Sequence, residues 1–213
     1  MAWIFDTYSM NKGHSVLGVV TGKPLAIGGS LGRREATARG ALYCLADVLA
    51  EKSKQLEGLR VAVQGAGTVG GGLARMLTEE GATVVAISDS QGGLHAAGGL
   101  DVPAALAYKG ETGSFEGFRG GDALTNEELL TIDCDVLAPC ALEQVITADN
   151  AAQVKARIVC EGANGPSPPA RTRFSRIAAC SSSPTCSRTR AASSSPTSSG
   201  SRACRSTSGR RSR

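Results

Sequence analysis

The residues best suited to chemistry are glycines in a fixed pattern. Residues 65–70 have the sequence GAGTVG, a GxGxxG motif. In such a motif Gly65 permits a tight turn, Gly67 lets the backbone approach a pyrophosphate, and Gly70 lets a helix pack closely against a strand. Thr68 and Val69 lie within the same turn. The N-terminus of a helix that begins there would present unpaired N–H groups and a partial positive charge to phosphates. The motif predicts a dinucleotide-binding turn.

The segments on either side of the motif strengthen this prediction. A β-rich run, LRVAVQ, precedes it at residues 59–64, and a helix is expected at 69–80. A second buried strand, TVVAIS at residues 83–88, ends at Asp89, which is 24 residues after Gly65. Asp89 is expected to accept hydrogen bonds from ribose hydroxyls and to repel a 2′-phosphate, which favours NAD and leaves NADP possible. The alternative is a glycine-rich turn that binds nothing.

Two further loops carry polar residues suited to ligand binding. Arg33 ends the run GGSLGR and is able to clamp a carboxylate with two hydrogen bonds, although it also fits a surface arginine at a helix start. Asn164, in the run EGANG after a short strand, suits a ribose or a carboxamide, or merely a turn. His14 and His95 have no partners in sequence, so we predict surface or loop histidines and no metal site.

The remaining elements fit an α/β fold. Residues 1–12 have helix-like spacing of apolar residues ending at Gly13, and residues 16–32 form a glycine-rich loop. A helix from Arg33 to Glu51 places Leu42, Leu45 and Leu49 on one face, with Ala36 and Ala46 allowing close packing. Further helices are expected at 101–109 and 125–131, and strands at 134–138 and 157–160. We predict a Rossmann-type, doubly wound parallel sheet with flanking helices, incomplete at its end.

Charge divides the chain into two parts. The whole sequence has 23 Lys and Arg against 19 Asp and Glu, yet residues 171–213 contain ten Arg, fourteen Ser and no Lys, Asp or Glu. We therefore predict three segments: a hinge helix and glycine-rich segment (1–58), a dinucleotide-binding domain (59–166), and a disordered Arg/Ser-rich tail (167–213). Binding of nucleic acid by the tail is an alternative, but the tail has no aromatic platform on which bases would stack.

Other compositional features narrow the class of protein. No run of about 18 apolar residues exists, so we expect no membrane span, and the N-terminus does not resemble a secretory signal. The seven cysteines are odd in number and form no CxxC pair. We predict free thiols in a reducing, cytoplasmic environment.

With these motifs the chain resembles the glutamate dehydrogenase family from Met1 to Gly165. The resemblance is carried by the motifs MAWIFDTYSMNKG, TGKPLAIGGSLGRREATARG, VAVQGAGTVG, ISDSQGG, CDVLAPCALEQVIT and IVCEGANGP. The pattern TGKP…GGS.GR.EAT separates glutamate dehydrogenases from the leucine, valine and phenylalanine enzymes. The resemblance implies oxidative deamination of L-glutamate to 2-oxoglutarate and ammonia, with hydride transfer to NAD or NADP, and commonly a homohexamer.

The resemblance also assigns roles to individual residues. It implies that these residues contact the substrate cleft (Arg33), the nicotinamide carboxamide (Thr37), the pyrophosphate (Gly65, Gly67, Thr68, Val69, Gly70), the adenosine ribose (Asp89), the cofactor groove (Ala138) and the nicotinamide ribose (Asn164). The family's catalytic Lys and Asp belong to an upstream substrate domain, so no catalytic residue is expected within this sequence. We therefore expect an inactive cofactor-binding fragment, or a non-catalytic nucleotide-binding remnant. For the Arg/Ser-rich tail, our hypothesis is a frameshift between Gly165 and Arg171.

Overall fold

The computed structural model describes residues 1–163 and the backbone of residues 175–178. Its helices are α1 (Ala2–Lys12), α2 (Ala36–Glu51), α3 (Thr68–Glu79), α4 (Val102–Thr112) and α5 (Asn126–Thr131). Its strands are β1 (Arg60–Gln64), β2 (Thr83–Ser88), β3 (Gly93–His95), β4 (Asp122–Leu124), β5 (Val136–Pro139), β6 (Ile158–Glu161) and β7 (Ser175–Ala178). Short 3₁₀ turns at Leu17–Val19 and Leu25–Ile27 interrupt the glycine-rich loop.

The strands form one sheet in the order β4-β3-β2-β1-β5-β6-β7. The chain leaves β1 for β2 on one side and later returns to β5 on the other side of β1, and both neighbours run parallel to β1. The strand order therefore reverses at β1. In open α/β sheets, this reversal opens a crevice at the carboxyl ends of the two diverging strands, and ligands bind there.

Helices cover both faces of the sheet. Side chains alternate between the two faces along each strand, so apolar residues of one strand pack on helices at either face. Val61 and Val63 of β1 pack with α2, α3 and α4 in one core cluster. Ala62, between them, packs with α5 and with Ile146 in a second cluster on the opposite face. This arrangement is the doubly wound sheet with flanking helices that the sequence predicts.

The sheet differs from the prediction at both of its edges. Strands β3 and β4 run antiparallel to their neighbours, so the sheet is mixed rather than wholly parallel. Each has three residues, too few to show a periodicity in the sequence. At the other edge Ser175–Ala178, inside the segment predicted to be disordered, pairs parallel with β6. The rest of that predicted tail lies outside the described residues.

Helix α2 corrects two details of the prediction. It begins at Ala36, because Arg33 to Glu35 belong to the preceding turn. Its apolar face contains the three predicted leucines, which are buried. The small residues of the close contact are Ala38 and Ala41, however, whereas Ala36 is exposed and Ala46 is half-buried. Within the described part of the chain, no helix has the length and apolar character needed to cross a membrane.

Candidate functional site

The turn between β1 and α3 requires glycine at two positions. Gly65 has a φ of 96°, which side chains rarely tolerate, and a Cβ there would lie 2.7 Å from the Ala141 Cβ. A Cβ on Gly70 would lie 1.8 Å from the carbonyl oxygen of Gly65. The turn is therefore as tight as the motif predicts, and helix α3 starts directly against the end of β1.

The third glycine of the motif faces open space instead. Gly67 is the N-cap residue of α3, has an extended backbone, and no side chain caps the helix there. No atom of the described residues lies within 4 Å of a Cβ built on Gly67, and both Gly67 and Thr68 are exposed. The first N–H groups of α3 thus point into accessible space, which is the arrangement that binds phosphate at a helix N-terminus.

The loops after β5 and β6 form the floor of this site. Cys140 donates its N–H to the Gln64 carbonyl at 2.8 Å, which holds the β5 loop against the end of β1. A Cβ on Gly162 would lie 2.5 Å from the Cys140 Sγ and 3.2 Å from the Val69 Cγ1. The carboxyl ends of β1, β5 and β6 therefore meet below the glycine turn and form one groove.

Ala138 is the residue that the resemblance assigns to the cofactor groove. Its side chain is fully buried in the core cluster between the sheet and α2 to α4. Cys140 and Ala141, two and three residues further along, make the contacts with the turn. The contacts with the turn therefore come from residues that follow the end of β5.

Asp89 lies at the end of β2, as predicted, and is buried. One carboxylate oxygen accepts N–H groups from Gln91 at 2.8 Å and Gly92 at 3.2 Å, and the other accepts the Phe115 N–H at 3.2 Å. A carboxylate has about four acceptor sites, so about one remains for a ligand hydroxyl. The side chain therefore shapes its own loop and keeps about one acceptor site unused by these three N–H groups.

Lys109 is a site residue that sequence reasoning missed. From α4 it donates a hydrogen bond of 2.9 Å to the carbonyl oxygen of Ala66, inside the glycine turn. Its ammonium also lies 5.7 Å from the centre of the Phe115 ring, and Phe115 in turn contacts Asp89. Lys109 is 43 residues from Ala66 in sequence, and no motif marked it. It links the glycine turn to the Asp89 loop.

Arg33 and Thr37 belong to a second group of predicted residues near α2. Arg33 is exposed, and it forms no ion pair among the described residues. Thr37 is half-buried in the first turn of α2, next to Ala38, whose Cβ would lie 3.2 Å from a Cβ on Gly72 of α3. Asn164, predicted to bind ribose, lies outside the described residues.

Glu35 connects the start of α2 to the helix of the glycine turn. Its carboxylate binds Arg75 of α3 at 2.8 Å and Arg39 of α2 at 3.0 Å. Arg75 also pairs with Glu79 at 2.8 Å. The residues of this network are partly exposed, so its contribution to stability is small, and it links the start of α2 to α3.

The thiol groups of the site are poor nucleophiles. Burial raises the pKa of the Cys140 thiol to about 12, although the Gly162 N–H acts in the opposite direction. Burial likewise raises the pKa of Cys134 to about 12 and raises that of Cys160 further. At neutral pH these thiols are protonated, which argues against covalent catalysis by cysteine. Between residues 1 and 163, no group of His, Cys, Asp and Glu has the arrangement of a metal site.

A cavity of about 360 Å³ adjoins the site on the side of β3 and β4. Asp89 forms part of its wall together with apolar side chains, among them Leu94, Phe115, Phe118 and Leu124. The glycine-turn residues do not line it. This cavity therefore lies beside the Asp89 loop, on the side of β3 and β4.

Comparison with known proteins gives this geometry a family. Residues 28–181 match the family model for glutamate/leucine/phenylalanine/valine dehydrogenases. The chain is 51% identical over 173 residues to the glutamate dehydrogenase of Thermotoga maritima, a match that covers 79% of this chain and 41% of that protein. The chain thus spans about two fifths of the length of this relative.

Solved structures show the same likeness. A hetero-hexameric glutamate dehydrogenase from Thermus thermophilus, with leucine bound, superposes with a TM-score of 0.70 and 42% identity over 78% of this chain and 40% of that one. The enzyme from Peptoniphilus asaccharolyticus gives a TM-score of 0.61 with 32% identity over 79% of this chain and 39% of that one.

Proposed function

The chain belongs to the glutamate/leucine/phenylalanine/valine dehydrogenase family of NAD(P)-dependent oxidoreductases, and we propose that it is the cofactor-binding part of a glutamate dehydrogenase. The observation that carries the proposal is the glycine turn at the reversal of strand order, with the uncapped N-terminus of α3 open above it. The turn fits a pyrophosphate because Gly67 leaves room for close approach and the helix supplies N–H donors.

Each end of the cofactor has residues suited to it. We expect Asp89 to offer its remaining acceptor to the adenosine ribose, and Thr37, in the first turn of α2, to bind the nicotinamide carboxamide. Arg33 is exposed and unpaired among the described residues, so it is available to a substrate carboxylate. The bound cofactor supplies the hydride acceptor, while the protein orients it and excludes competing arrangements. In the complete enzyme the substrate pair is L-glutamate and 2-oxoglutarate.

The choice between NAD and NADP depends on the charges at the ribose. The Asp89 carboxylate repels a 2′-phosphate, and we propose NAD as the preferred cofactor for this reason. Lys109, whose ammonium binds the Ala66 carbonyl in the turn, carries the opposite charge, and we propose that it partly offsets that repulsion. We therefore expect NADP to bind more weakly than NAD but not to be excluded.

A titration of the purified chain with NADH and NADPH, followed by cofactor fluorescence, tests the proposal. We expect saturable binding of both, tighter for NADH. A chain that binds neither cofactor would contradict it. The second candidate, a nucleotide-binding unit with no catalytic role, is separated by turnover. We expect negligible oxidation of L-glutamate by the chain alone, because the resemblance assigns general acid–base chemistry, which contributes about 10²–10⁴-fold, to residues that this sequence lacks.

A further inference from the structure

Two buried polar atoms at the carboxyl edge of the sheet have no hydrogen-bond partner among the described residues. They are the Oε1 atom of Gln64 and the Oγ atom of Ser88. Gln64 is 5% exposed and Ser88 is fully buried. They end β1 and β2 and are directly paired in the register of these strands. Since neighbouring strands lie about 4.8 Å apart, the two side chains are neighbours.

Both side chains project from the same face of the sheet. Ala62 and Ala86 are paired two residues earlier in the register, and both belong to the core cluster on the α5 side. Because side chains alternate between faces, Gln64 and Ser88 project toward this side as well. They therefore lie on the opposite face from α3 and do not contact the phosphate-binding N–H groups directly.

The main chains of the same two residues hold the loops of the site together. The Gly65 N–H donates to the Ser88 carbonyl at 3.0 Å, and the Cys140 N–H donates to the Gln64 carbonyl at 2.8 Å. Asp89 follows Ser88 directly. The glycine turn and the Asp89 loop thus begin directly after Gln64 and Ser88, and the β5 loop is hydrogen-bonded to Gln64.

A buried polar atom without a partner costs about 1–3 kcal/mol, so two such atoms side by side indicate a shared partner. Buried waters satisfy such groups, typically with two to four hydrogen bonds each. A water molecule is able to donate one hydrogen to the amide oxygen and the other to the hydroxyl oxygen. A cation fits poorly, because both atoms are neutral and the nearby Asp89 carboxylate is held by three N–H groups.

We propose that one buried water molecule bridges Gln64 Oε1 and Ser88 Oγ, and that this bridge holds the glycine turn and the Asp89 loop at the spacing the cofactor requires. Gln64 and Ser88 are then positioning residues, which act on the cofactor through the loops they anchor. The water bridge itself is independent of the proposed function. Its effect on cofactor affinity, by contrast, rests on the proposed function.

A double-mutant cycle tests the bridge by its effect on thermal unfolding. The variants are Ser88→Ala, Gln64→Met and the double change, with Leu137→Met on the same face as a control for core repacking. Each single change leaves one atom unsatisfied, so we expect Tm to fall by about 3–6 °C. The double change removes both polar atoms, and we expect a Tm close to that of the wild type. Additive losses of Tm would overturn the bridge.

Cofactor affinity separates positioning from a purely structural role. We expect NADH to bind about three- to tenfold more weakly to the double variant, even though its Tm is restored. Wild-type affinity in that variant would overturn the positioning role. A wild-type chain that binds no NADH would contradict the proposed function, while the Tm cycle would still decide the bridge. If the variants do not fold, a high-resolution crystal structure of the wild-type chain decides it, by the presence or absence of the water.

Discussion

At the scale of single residues, the glycines of the turn have two different roles. Gly70 is fixed by sterics inside the protein, because a methyl group there would overlap the Gly65 carbonyl. Gly67 has no such contacts within the described part of the chain, and we propose that its role concerns the ligand. The same motif therefore mixes a requirement of folding with a requirement of binding.

Substitution of these two glycines by alanine should separate the roles. We expect Gly70→Ala to lower the free energy of unfolding by about 3 kcal/mol or more, because the overlap forces α3 away from β1. We expect Gly67→Ala to cost less than about 1 kcal/mol, since its backbone angles suit alanine. Gly67→Ala should nevertheless weaken NADH binding at least tenfold. Urea unfolding and fluorescence titration measure the two quantities, and equal affinity in Gly67→Ala and wild type would contradict the assignment.

Asp89 and Lys109 form a second prediction at this scale. Asp89→Asn removes the charge that repels a 2′-phosphate, so the ratio of NADPH affinity to NADH affinity should rise about three- to tenfold. Lys109→Met should lower the same ratio and, by removing the bond to Ala66, weaken both cofactors. Arg119→Gln, an exposed cation outside the site, serves as the control. If the ratio of NADPH affinity to NADH affinity is unchanged in both variants, these two residues do not determine which cofactor is preferred.

At the scale of elements, α5 is a short helix stabilised by its first residues. Thr125 accepts the Glu128 N–H at 3.2 Å, and the Glu128 carboxylate accepts the Thr125 N–H at 2.8 Å. Asn126, at the start of the helix, donates to the Asp89 carbonyl at 3.0 Å. The capping box thus supports the loop that carries the predicted ribose acceptor.

Removal of the cap should affect both stability and the Asp89 loop. We expect Thr125→Ala to lower the free energy of unfolding by about 1 kcal/mol, with faster hydrogen exchange at Gln91 and Gly92. Thr131→Ala, at the other end of the same helix, is the matched control and should cost less than about 0.5 kcal/mol. Equal losses from the two variants would show that the capping box is not the source of the effect.

At the scale of the whole molecule, the buried thiols make stability depend on alkaline pH. Cys134 and Cys160 have pKa values raised by burial, that of Cys134 to about 12. Thiols in the unfolded chain ionise near pH 8.5. Between these values the unfolded state binds fewer protons than the folded state, so the stabilisation present below pH 8.5 is lost as the pH rises.

We expect each buried thiol to cost about 1.4 kcal/mol of unfolding free energy per pH unit above about pH 9. Urea unfolding at pH 7 to 11 measures the slope. Cys134→Ala should reduce it by one thiol's share, whereas Val136→Ala, a core truncation without a titratable group, should lower stability at every pH and leave the slope unchanged. A slope that is identical in wild type and Cys134→Ala would contradict the burial argument.

Local sequence patterns were sufficient for the parts of the fold that depend on nearby residues. The glycine turn, strands β1 and β2, helix α3 and the position of Asp89 follow from a motif and from apolar periodicity within about 30 residues. These features are encoded locally because turn geometry and strand or helix formation depend on adjacent side chains.

Tertiary structure alone decided the features that join distant segments. The antiparallel β3–β4 edge, the bond from Lys109 to the turn and the withdrawal of Ala138 into the core have no local signal, because each depends on where a strand ends or what packs beside it. The N–H group that Phe115 donates to Asp89 and the pairing of Gln64 with Ser88 likewise arise only when segments that are distant in sequence are brought together. The sequence therefore determined which residue types the candidate site contains. Packing determined which of their atoms line it.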